Sequence, residues 1–308
     1  MVYWGGRGLA FRHPIEELTA FLDSVYRQYG ITDQVLFGDR RPVHRPAVTH
    51  AEIYGIRTHV FEEGYFRPYW VTLEREGVNG HSLLPRDPEW FWSVGGDIGA
   101  GENVVPFSSP FSTRATHDVA YHLAGSLNFA LFPHFESHAP NNAAVDYLAF
   151  VRRSTALRFW KPRDEKAIAS LVEGGESFYL LPLQLNSDAQ IRDHSRFENM
   201  AQVMEYVLES FACYAPVQSK LVIKNHPLDM GHFDHHSVVK ALEDRFDLHG
   251  RVIYLESGDL ELLVQHAKGV VTVNSTVGSV SLGADCPTIT LSDPIYNLPG
   301  LTFQESLD

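Results

Sequence analysis

The second half of the chain alternates apolar runs of strand length with amphipathic stretches of helix length. The strand-like runs are SFYLLPLQ, KLVIKNHP, RVIYLE, GVVTVNS and PTITL, in that order. Each connection between them is long enough for the crossover helix that parallel strands require. The pattern therefore predicts a five-stranded, doubly wound parallel sheet over residues 177–291 and an α/β fold.

The first half shows the same alternation less completely. Helix-like and strand-like stretches follow one another over residues 13–30, 34–38, 42–55 and 57–64, and the first helix is predicted to end at Gly30. Residues 69–140 are rich in Gly, Pro, Asn, Ser and aromatic residues. Because their periodicity is weak, we predict long loops and a few helices there.

The two halves meet near the charged stretch RRSTALRFWKPRDEKAIASL, which indicates two Rossmann-like domains, residues 1–165 and 166–308. A chain of 308 residues with 44% hydrophobic residues is long enough to bury two cores. Its formal charge of −13 disfavours a general nucleic-acid-binding protein. The sequence has no apolar run of membrane-spanning length and no signal-peptide pattern, so we expect a cytoplasmic protein.

The strongest local motif is Lys224-Asn225-His226-Pro227, at the carboxyl end of the second predicted strand of the second half. Ligands bind at the carboxyl edge of a doubly wound sheet, where loops diverge and helix N-termini present N–H groups. Lys224 and His226 are therefore candidate phosphate ligands, and Pro227 would fix the turn that directs them. The alternative is a polar strand exit followed by a helix-starting proline.

The segment Asn274-Ser275-Thr276 lies two strands later at an equivalent junction. Its hydroxyl and backbone N–H groups can bind an anion, and Gly278 would permit a close approach. Taken alone, the segment is explained at least as well by an ordinary helix N-cap. Because both loops are predicted at the same edge of one sheet, we expect them to converge on one phosphate.

Two adjacent carboxylates, Glu62 and Glu63, end the last predicted strand of the first half and are followed by Gly64. A strand end is a suitable position for a catalytic base or nucleophile. Successive strand residues point to opposite faces, so only one of the two can face a ligand. The alternative is a solvated acidic turn.

A fourth group of polar side chains lies at and beyond the end of the first predicted strand of the second half: Gln184, Asp188 and Gln190. Their amide and carboxylate groups are candidates for binding sugar or ribose hydroxyls. An Asx-type turn explains Asp188 almost as well.

Motifs that bind dinucleotides or nucleoside triphosphates are absent, and no D-x-D triplet occurs. A CMP-activated sugar carries a single phosphate, which His, Lys and a helix N-terminus can neutralise without a divalent ion. We therefore expect neither a metal nor a cofactor. The histidine-rich segment 232–236 is interpreted as a polar connection rather than a metal site.

The motifs VFEEGYFRP, KNHP and VNSTVG match, in order, the motifs shared by bacterial sialyltransferases and capsule Kdo transferases. The chain resembles the capsule polysaccharide synthesis/export family, which includes the β-Kdo transferase that initiates the phospholipid anchor of capsules. Stretches such as VLFGDRRPVHRPA, LPLQLNSDAQI and PGLTFQESLD are also similar, so the resemblance covers nearly the whole chain.

The resemblance implies a GT-B fold, in which two Rossmann-like domains face a cleft. It implies transfer of Kdo from CMP-Kdo to a phosphatidylglycerol-type lipid, on the inner face of the cytoplasmic membrane and alongside other capsule assembly proteins. The motifs and the resemblance together predict ten donor-binding residues: Lys224, His226, Pro227, Asn274, Ser275, Thr276, Gln184, Asp188, Gln190 and Arg67.

The resemblance also implies a retaining reaction, in which Glu63 forms a glycosyl-enzyme adduct and Arg67 pairs with the sugar carboxylate. Related Kdo transferases carry Glu-Asp-Gly where this chain has Glu62-Glu63-Gly64, and the match places the nucleophile at Glu63. Candidate membrane contacts are Arg40, Arg41, Arg45, Trp90 and Trp92. Family members usually begin with a further strand-helix-strand segment and continue beyond LTFQESLD, so this chain is expected to lack both.

Three alternatives remain open from the sequence. The first is an inverting, sialyltransferase-like reaction in which Glu63 is a general base. The second is a non-catalytic component of capsule assembly or export, although such a component needs neither the acidic motif nor the phosphate loops. The third is a nucleotide-sugar epimerase of similar fold, which would bind UDP sugars instead of cytidine nucleotides.

Overall fold

The computed structural model describes residues 8–65, 70–98, 110–126, 128–135, 142–186, 188, 191 and 193–303. The chain divides into two compact units, one of Met1–Leu83 with Ile98–Ala143 and one of Leu84–Asp97 with Ala144–Asp308. The sequence placed the boundary at residue 165, whereas the contacts divide the chain at Ala143. A short segment of the first half, Leu84–Asp97, belongs to the second unit.

The described residues form both helices and strands. The helices are α1 (Leu18–Tyr29), α2 (His44–Ile53), α3 (Pro88–Ile98), α4 (Phe111–Gly125), α5 (Asn128–Leu131), α6 (Ala143–Glu173), α7 (Met200–Tyr214), α8 (His235–Arg245), α9 (Leu260–His266) and α10 (Thr276–Gly283). The strands are β1 (Asp33–Phe37), β2 (Arg57–Glu63), β3 (Val71–Arg75), β4 (Phe178–Pro182), β5 (Lys220–Lys224), β6 (Val252–Leu255), β7 (Gly269–Thr272) and β8 (Thr288–Thr290).

The first unit holds a three-stranded sheet in the order β1-β2-β3. Strands β1 and β2 run parallel, as their separation by α2 predicts, and α1 ends at Gly30 in the left-handed conformation with φ 58°. Strand β3 was missed by the sequence analysis, which predicted loops and helices there. It runs antiparallel to β2, with Glu63 opposite Val71. Five residues within a region of weak periodicity gave no usable strand signal.

The two faces of this sheet differ in exposure. On one face Thr58 and Val60 of β2 are fully buried, and Glu62 is the next residue on that side. On the other face Phe37 and Leu73 are exposed, and Glu63 lies on that side. The two carboxylates at the end of β2 therefore occupy different environments.

The second unit holds the predicted sheet, five parallel strands in the order β6-β5-β4-β7-β8. Alternate strand residues enter two cores: Leu181 and Ile223 join one with α7, while Leu180 and Val222 join the other with α6. Helices thus cover both faces of the sheet. The α/β fold class predicted from the alternation is confirmed.

Helix α6 extends over 31 residues and contains Pro162. The predicted domain boundary at residue 165 falls within this helix. Proline lacks the N–H of a helix interior and usually ends a helix, so the local sequence does not indicate a continuous helix through Pro162. Near its end Ile168 and Leu171 pack into the core of the second unit. The part before Asp164 runs beside the loops that follow β5 and β6, as described below. Among the described residues, no helix combines the length and apolarity needed to cross a membrane.

Candidate functional site

The carboxyl ends of β4, β5 and β7 lie together at one edge of the sheet of the second unit. Strand β4 lies between the other two, and the chain winds to one side of it through β5 and to the other side through β7. Such a reversal opens a crevice at which ligands bind in doubly wound folds. Both predicted phosphate loops lie at this edge, with the end of β4 between them.

Gln184, two residues beyond β4, joins this edge to the loop after β7. Its side-chain Nε2 donates to Asn274 Oδ1 at 2.9 Å, and its Oε1 accepts from the backbone N–H of Asn274 at 3.3 Å. Gln184 and Asn274 are 5% and 6% exposed, so these bonds are shielded from water. Gln184 was predicted to bind a sugar hydroxyl, whereas its amide here holds Asn274 in place.

Helix α10 begins beside Asn274. Ser275 is its N-cap and accepts a hydrogen bond from Val277 N at 3.2 Å, while Thr276 is the first helical residue and is half-buried. The helix N-terminus and these hydroxyl groups form a site suited to an anion. Gly278 has a different role from the one predicted, because a Cβ there would lie 2.3 Å from Tyr296 Oη. The close approach is made by Tyr296, whose hydroxyl donates to Ser275 O.

The Lys224-Asn225-His226-Pro227 loop is held by its own asparagine. Asn225 is 2% exposed, and its Oδ1 accepts from His226 N at 2.7 Å. The backbone N–H of Leu228 donates to Nδ1 of His226 at 3.1 Å, which places the proton of a neutral ring on Nε2. His226 therefore presents a hydrogen-bond donor of the kind that a phosphate accepts. Burial, and next the charge of Arg153, lower the pKa of Lys224.

The other end of the Asn225 amide joins a buried polar cluster. Its Nδ2 donates to Asp229 Oδ2 at 3.0 Å and to Glu256 Oε2 at 2.9 Å. Arg153 of α6 pairs with the same two carboxylates, at 3.5 Å and 3.0 Å. Because Asn225 also holds His226, helix α6 is linked through this cluster to the candidate phosphate loop.

A cavity of about 820 Å³ opens above this cluster. Its lining includes Arg152, Arg153 and Trp160 of α6, residues 229–234 of the loop after β5, the first two residues of α8, and Tyr254 and Glu256 at the end of β6. The volume lies in the range of small-molecule sites. The histidine-rich segment 232–236, interpreted from the sequence as a polar connection, forms part of the cavity wall.

The cavity presents donors and acceptors together with aromatic rings. His235 is 2% exposed, and its Nδ1 has no hydrogen-bond partner among the described residues. Burial lowers the pKa of His235 more than the nearby Asp229 and Glu256 raise it, so its ring is neutral near pH 7. Burial, then Glu256 and Asp229, raise the pKa of Tyr254, which keeps its hydroxyl protonated. Such a mixture suits a ligand that carries both hydroxyl groups and an aromatic ring.

Asp164 of α6 fixes the turn after β6. It is 1% exposed, and its Oδ2 accepts from the backbone N–H groups of Glu256 and Ser257 at 2.9 Å and 3.0 Å. This holds the carboxylate of Glu256 beside Asn225. The motifs in the sequence did not predict Arg153, Asp164 and Glu256, since these residues lie far from the phosphate motifs in the chain. A charged residue directly after a predicted strand, as Glu256 is, was the one available signal.

At the end of β2 in the first unit, Glu62 is half-buried and Glu63 is exposed. Glu62 Oε1 accepts from Glu63 N at 3.2 Å. Burial is the largest cause of a raised pKa at Glu62; the charge of Glu63 adds to it, and Arg41 opposes it. Gly38, with φ 74°, lies between these groups, since a Cβ there would be 3.5 Å from Glu62 Oε2 and 4.0 Å from Arg41 Nε.

Three further residues were predicted to bind the donor: Asp188, Gln190 and Arg67. Asp188 lies in a turn, where its backbone N–H donates to Leu185 O at 2.9 Å and its carbonyl accepts from Ile191 N at 3.1 Å. Gln190 and Arg67 lie outside the described residues.

Comparison with known proteins defines the family. The sequence profile of the capsule polysaccharide biosynthesis proteins matches residues 32–308. The chain belongs to this capsule polysaccharide biosynthesis family. The match spans β1 to the end of the chain, and every candidate residue described above lies within it.

Two curated relatives of this capsule family protein extend the match. The chain is 34% identical over 302 residues to the capsule polysaccharide export protein KpsS of Escherichia coli. This alignment covers 97% of the chain and 77% of KpsS. The chain is 33% identical over 304 residues to the capsule polysaccharide modification protein LipB of Neisseria meningitidis serogroup A, covering 97% of this chain and 72% of LipB. A solved structure, the Thermosulfurimonas dismutans KpsC β-Kdo 2,7 transferase, is similar at 13% identity with a TM-score of 0.48, covering 96% of this chain and 73% of that one.

Proposed function

We propose that this capsule family protein is a glycosyltransferase that moves Kdo from CMP-Kdo to a phosphatidylglycerol-type lipid. In this proposal its two units act as the two Rossmann-like halves of a GT-B enzyme. The second unit binds the donor, and the first supplies the catalytic carboxylate and the acceptor.

The observation that carries the proposal is the cavity beside the Lys224–Pro227 loop. It adjoins Asn225 and Glu256 at the carboxyl edge of a parallel sheet, where nucleotides bind in this class of fold. Carboxylates such as Glu256 accept hydrogen bonds from a ribose diol, and the ring of Trp160 or Tyr254 can stack on a base. A nucleoside in this cavity would bring its phosphate towards His226.

The donor phosphate is assigned to His226, with Lys224 behind it and with Ser275 and Thr276 at the start of α10. His226 offers Nε2–H, and the helix N-terminus offers backbone N–H groups and a positive dipole end. These groups can neutralise the single phosphate of a CMP sugar without a divalent ion. Arg67 is assigned to the sugar carboxylate because a guanidinium pairs with it in bidentate geometry.

In the first unit, Glu63 is assigned as the nucleophile of a retaining reaction. Its carboxylate attacks the anomeric carbon, CMP leaves, and the acceptor hydroxyl then displaces Glu63. The raised pKa of Glu62 favours a second candidate, an inverting transferase in which a carboxyl group of this pair removes the acceptor proton. Both candidates use the same donor and the same strand end.

The proposal places the protein at the inner face of the cytoplasmic membrane, where a lipid acceptor would be reached. Trp92 is 82% exposed on α3, whereas Arg40, Arg41 and Arg45 belong to the first unit. The basic and the aromatic candidates for membrane contact are therefore carried by different units.

The test is mass spectrometry of the 308-residue protein with CMP-Kdo, with and without lysophosphatidylglycerol. We expect a lipid product heavier by one Kdo when the acceptor is present. Without the acceptor, a retaining enzyme accumulates a protein adduct of one Kdo that is absent from Glu63→Gln. Product formation without an adduct supports the inverting candidate. A folded protein that binds no CMP and yields neither product nor adduct contradicts the proposal.

A further inference from the structure

The first unit contains an open pocket of about 330 Å³, lined by residues 11–16, 42–43 and 132–135. Most of its lining side chains are apolar, and three of them are the phenylalanines Phe11, Phe132 and Phe135. The ring of Phe11 packs on Phe21 of α1 with centroids 5.2 Å apart. The backbone N–H of Phe132 donates to Asn128 O at 2.7 Å, which fixes the opposite wall to α5. The pocket is therefore formed by anchored segments and not by a single loose loop.

The polar residues of this pocket are mostly basic. Arg12, His13 and His134 contribute to its lining, against the single carboxylate of Glu16 among the described lining residues. The guanidinium of Arg12 lies 5.5 Å from the centre of the Phe132 ring. Within the described part of the chain, Arg12 forms no ion pair with a carboxylate, whereas His13 lies 3.4 Å from Glu17. A basic group over an apolar pocket suits a molecule with an anionic head and an apolar tail.

The pocket lies next in the chain to the residues around Glu62. Pro42 and Val43 form part of its wall, and Arg41 precedes them by one Cα step of about 3.8 Å. Arg41 and Glu62 both border Gly38. An apolar chain held against Val43 would leave its polar end near Arg41, beside the carboxylates that end β2.

We propose that this pocket binds the acyl chain of an anionic phospholipid and directs a head-group hydroxyl towards Glu62 and Glu63. The inference rests on the proposed function, in which a lipid is the acceptor. To that function it adds the position of the lipid site and the basis of its selectivity. Val43 and the phenylalanines would bind the acyl chain, and Arg12 would select for a negatively charged head group.

Binding of short-chain lipids to the 308-residue protein tests the proposal. Lysophosphatidylglycerol is titrated below its critical micelle concentration by calorimetry, beside lysophosphatidylcholine with the same acyl chain and beside glycerol 3-phosphate. We expect the anionic lipid to bind at least about tenfold more tightly than the zwitterionic one, and glycerol 3-phosphate not to bind measurably. Equal affinity for the two lipids, or tight binding of glycerol 3-phosphate, would overturn the proposal.

Variants locate the site. Val43→Glu places a carboxylate in the apolar wall at the N-cap of α2, where a negative charge is compatible with the helix. It should weaken lysophosphatidylglycerol binding roughly tenfold. The matched control is Ile53→Glu at the other end of α2, which is 74% exposed and lies outside the pocket. Unchanged binding in Val43→Glu, or equal losses in the two variants, would place the lipid elsewhere.

A variant of the exposed Arg12 tests the charge selectivity of the pocket without changing its apolar wall. Arg12→Gln should remove most of the preference for the anionic lipid while leaving binding of the zwitterionic lipid unchanged, and Arg75→Gln serves as its control. A retained preference for the anionic lipid contradicts the role of Arg12.

Parallel titrations with CMP separate this inference from the proposed function. A protein that binds CMP but no lipid contradicts only the lipid pocket. A protein that binds lipid but no CMP contradicts only the donor assignment.

Discussion

The side chain of Gln184 forms two buried hydrogen bonds with Asn274, one to the amide oxygen and one from the backbone N–H. These bonds connect the end of β4 to the loop that begins α10. Asn274 also donates through Nδ2 to His194 O at 3.3 Å. The start of α10, the candidate anion site, is therefore held by the Gln184 side chain and by the backbone carbonyl of His194, which lie in two other segments of the second unit.

Replacing Gln184 should disturb both folding and ligand binding. Gln184→Ala leaves the Asn274 side chain and backbone N–H without these partners, and a lost buried hydrogen bond costs about 1–3 kcal/mol. We expect a lower free energy of unfolding in urea and weaker CMP binding. The exposed Gln28→Ala is the control and should change neither. Wild-type stability and CMP affinity in Gln184→Ala would show that the pair is dispensable.

The contact between Gly278 and Tyr296 makes a sharp prediction about stability. Gly278→Ala introduces a Cβ into the space of the Tyr296 ring, and overpacking of this kind costs about 1–3 kcal/mol. Gly283→Ala, in the same helix but with nothing within 4 Å of its Cβ, should instead be neutral or stabilising by about 0.5–1 kcal/mol. Thermal and urea unfolding measure the difference. If the two variants are equally stable, Tyr296 does not restrict position 278.

Glu62 should make the stability of the protein depend on pH. Its pKa is raised in the folded state, so folding favours the protonated form. This contribution is present below the unfolded pKa of about 4.5 and is lost as the pH rises through the higher folded value. We therefore expect Glu62→Gln to match the wild type near pH 4 and to exceed its free energy of unfolding near pH 7.

Urea unfolding from pH 4 to 7 measures this effect, with Glu63→Gln as the variant that removes a charge from the exposed side of the same strand. A Glu62→Gln protein whose stability differs from the wild type by the same amount at every pH would show that burial of Glu62 is not the cause.

His226 should contribute directly to CMP affinity. His226→Ala removes the proposed hydrogen bond to the phosphate, and we expect binding to weaken by about 1–3 kcal/mol, which is roughly fivefold to 150-fold. His249→Ala, an exposed histidine 3.7 Å from Asp244, is the control. Unchanged CMP affinity in a folded His226→Ala protein removes the His-Pro loop from the donor site.

The sheet of the second unit could be predicted because its signal is local and periodic. Strand residues such as Leu180 and Leu181 enter opposite cores, so the strands read as continuous apolar runs, and caps such as Ser275 mark the helices. The site was predictable only in part. The His-Pro loop and the Ser-Thr cap are short contiguous motifs, whereas Arg153, Asp164 and Glu256 come together only through packing of α6 against the sheet.

Two further differences between the predictions and the structure arise from contacts or residues that the local sequence does not reveal. The continuity of α6 was not predicted, because Pro162 lies within it and proline usually ends a helix. Gly278 was interpreted as space for a ligand, and nothing in its local sequence indicates that Tyr296 fills that space. The family resemblance was confirmed, since it depended on several motifs in order and not on any single one.

Competition between nucleotides tests most directly whether the second unit binds a CMP-activated sugar, as proposed. Calorimetry of the 308-residue protein with CMP and with UDP is performed in the presence of EDTA. We predict one CMP bound per chain without a divalent ion, at least about tenfold more tightly than UDP. Binding of CMP that requires magnesium, or tighter binding of UDP than of CMP, would contradict the account and favour a uridine nucleotide enzyme instead.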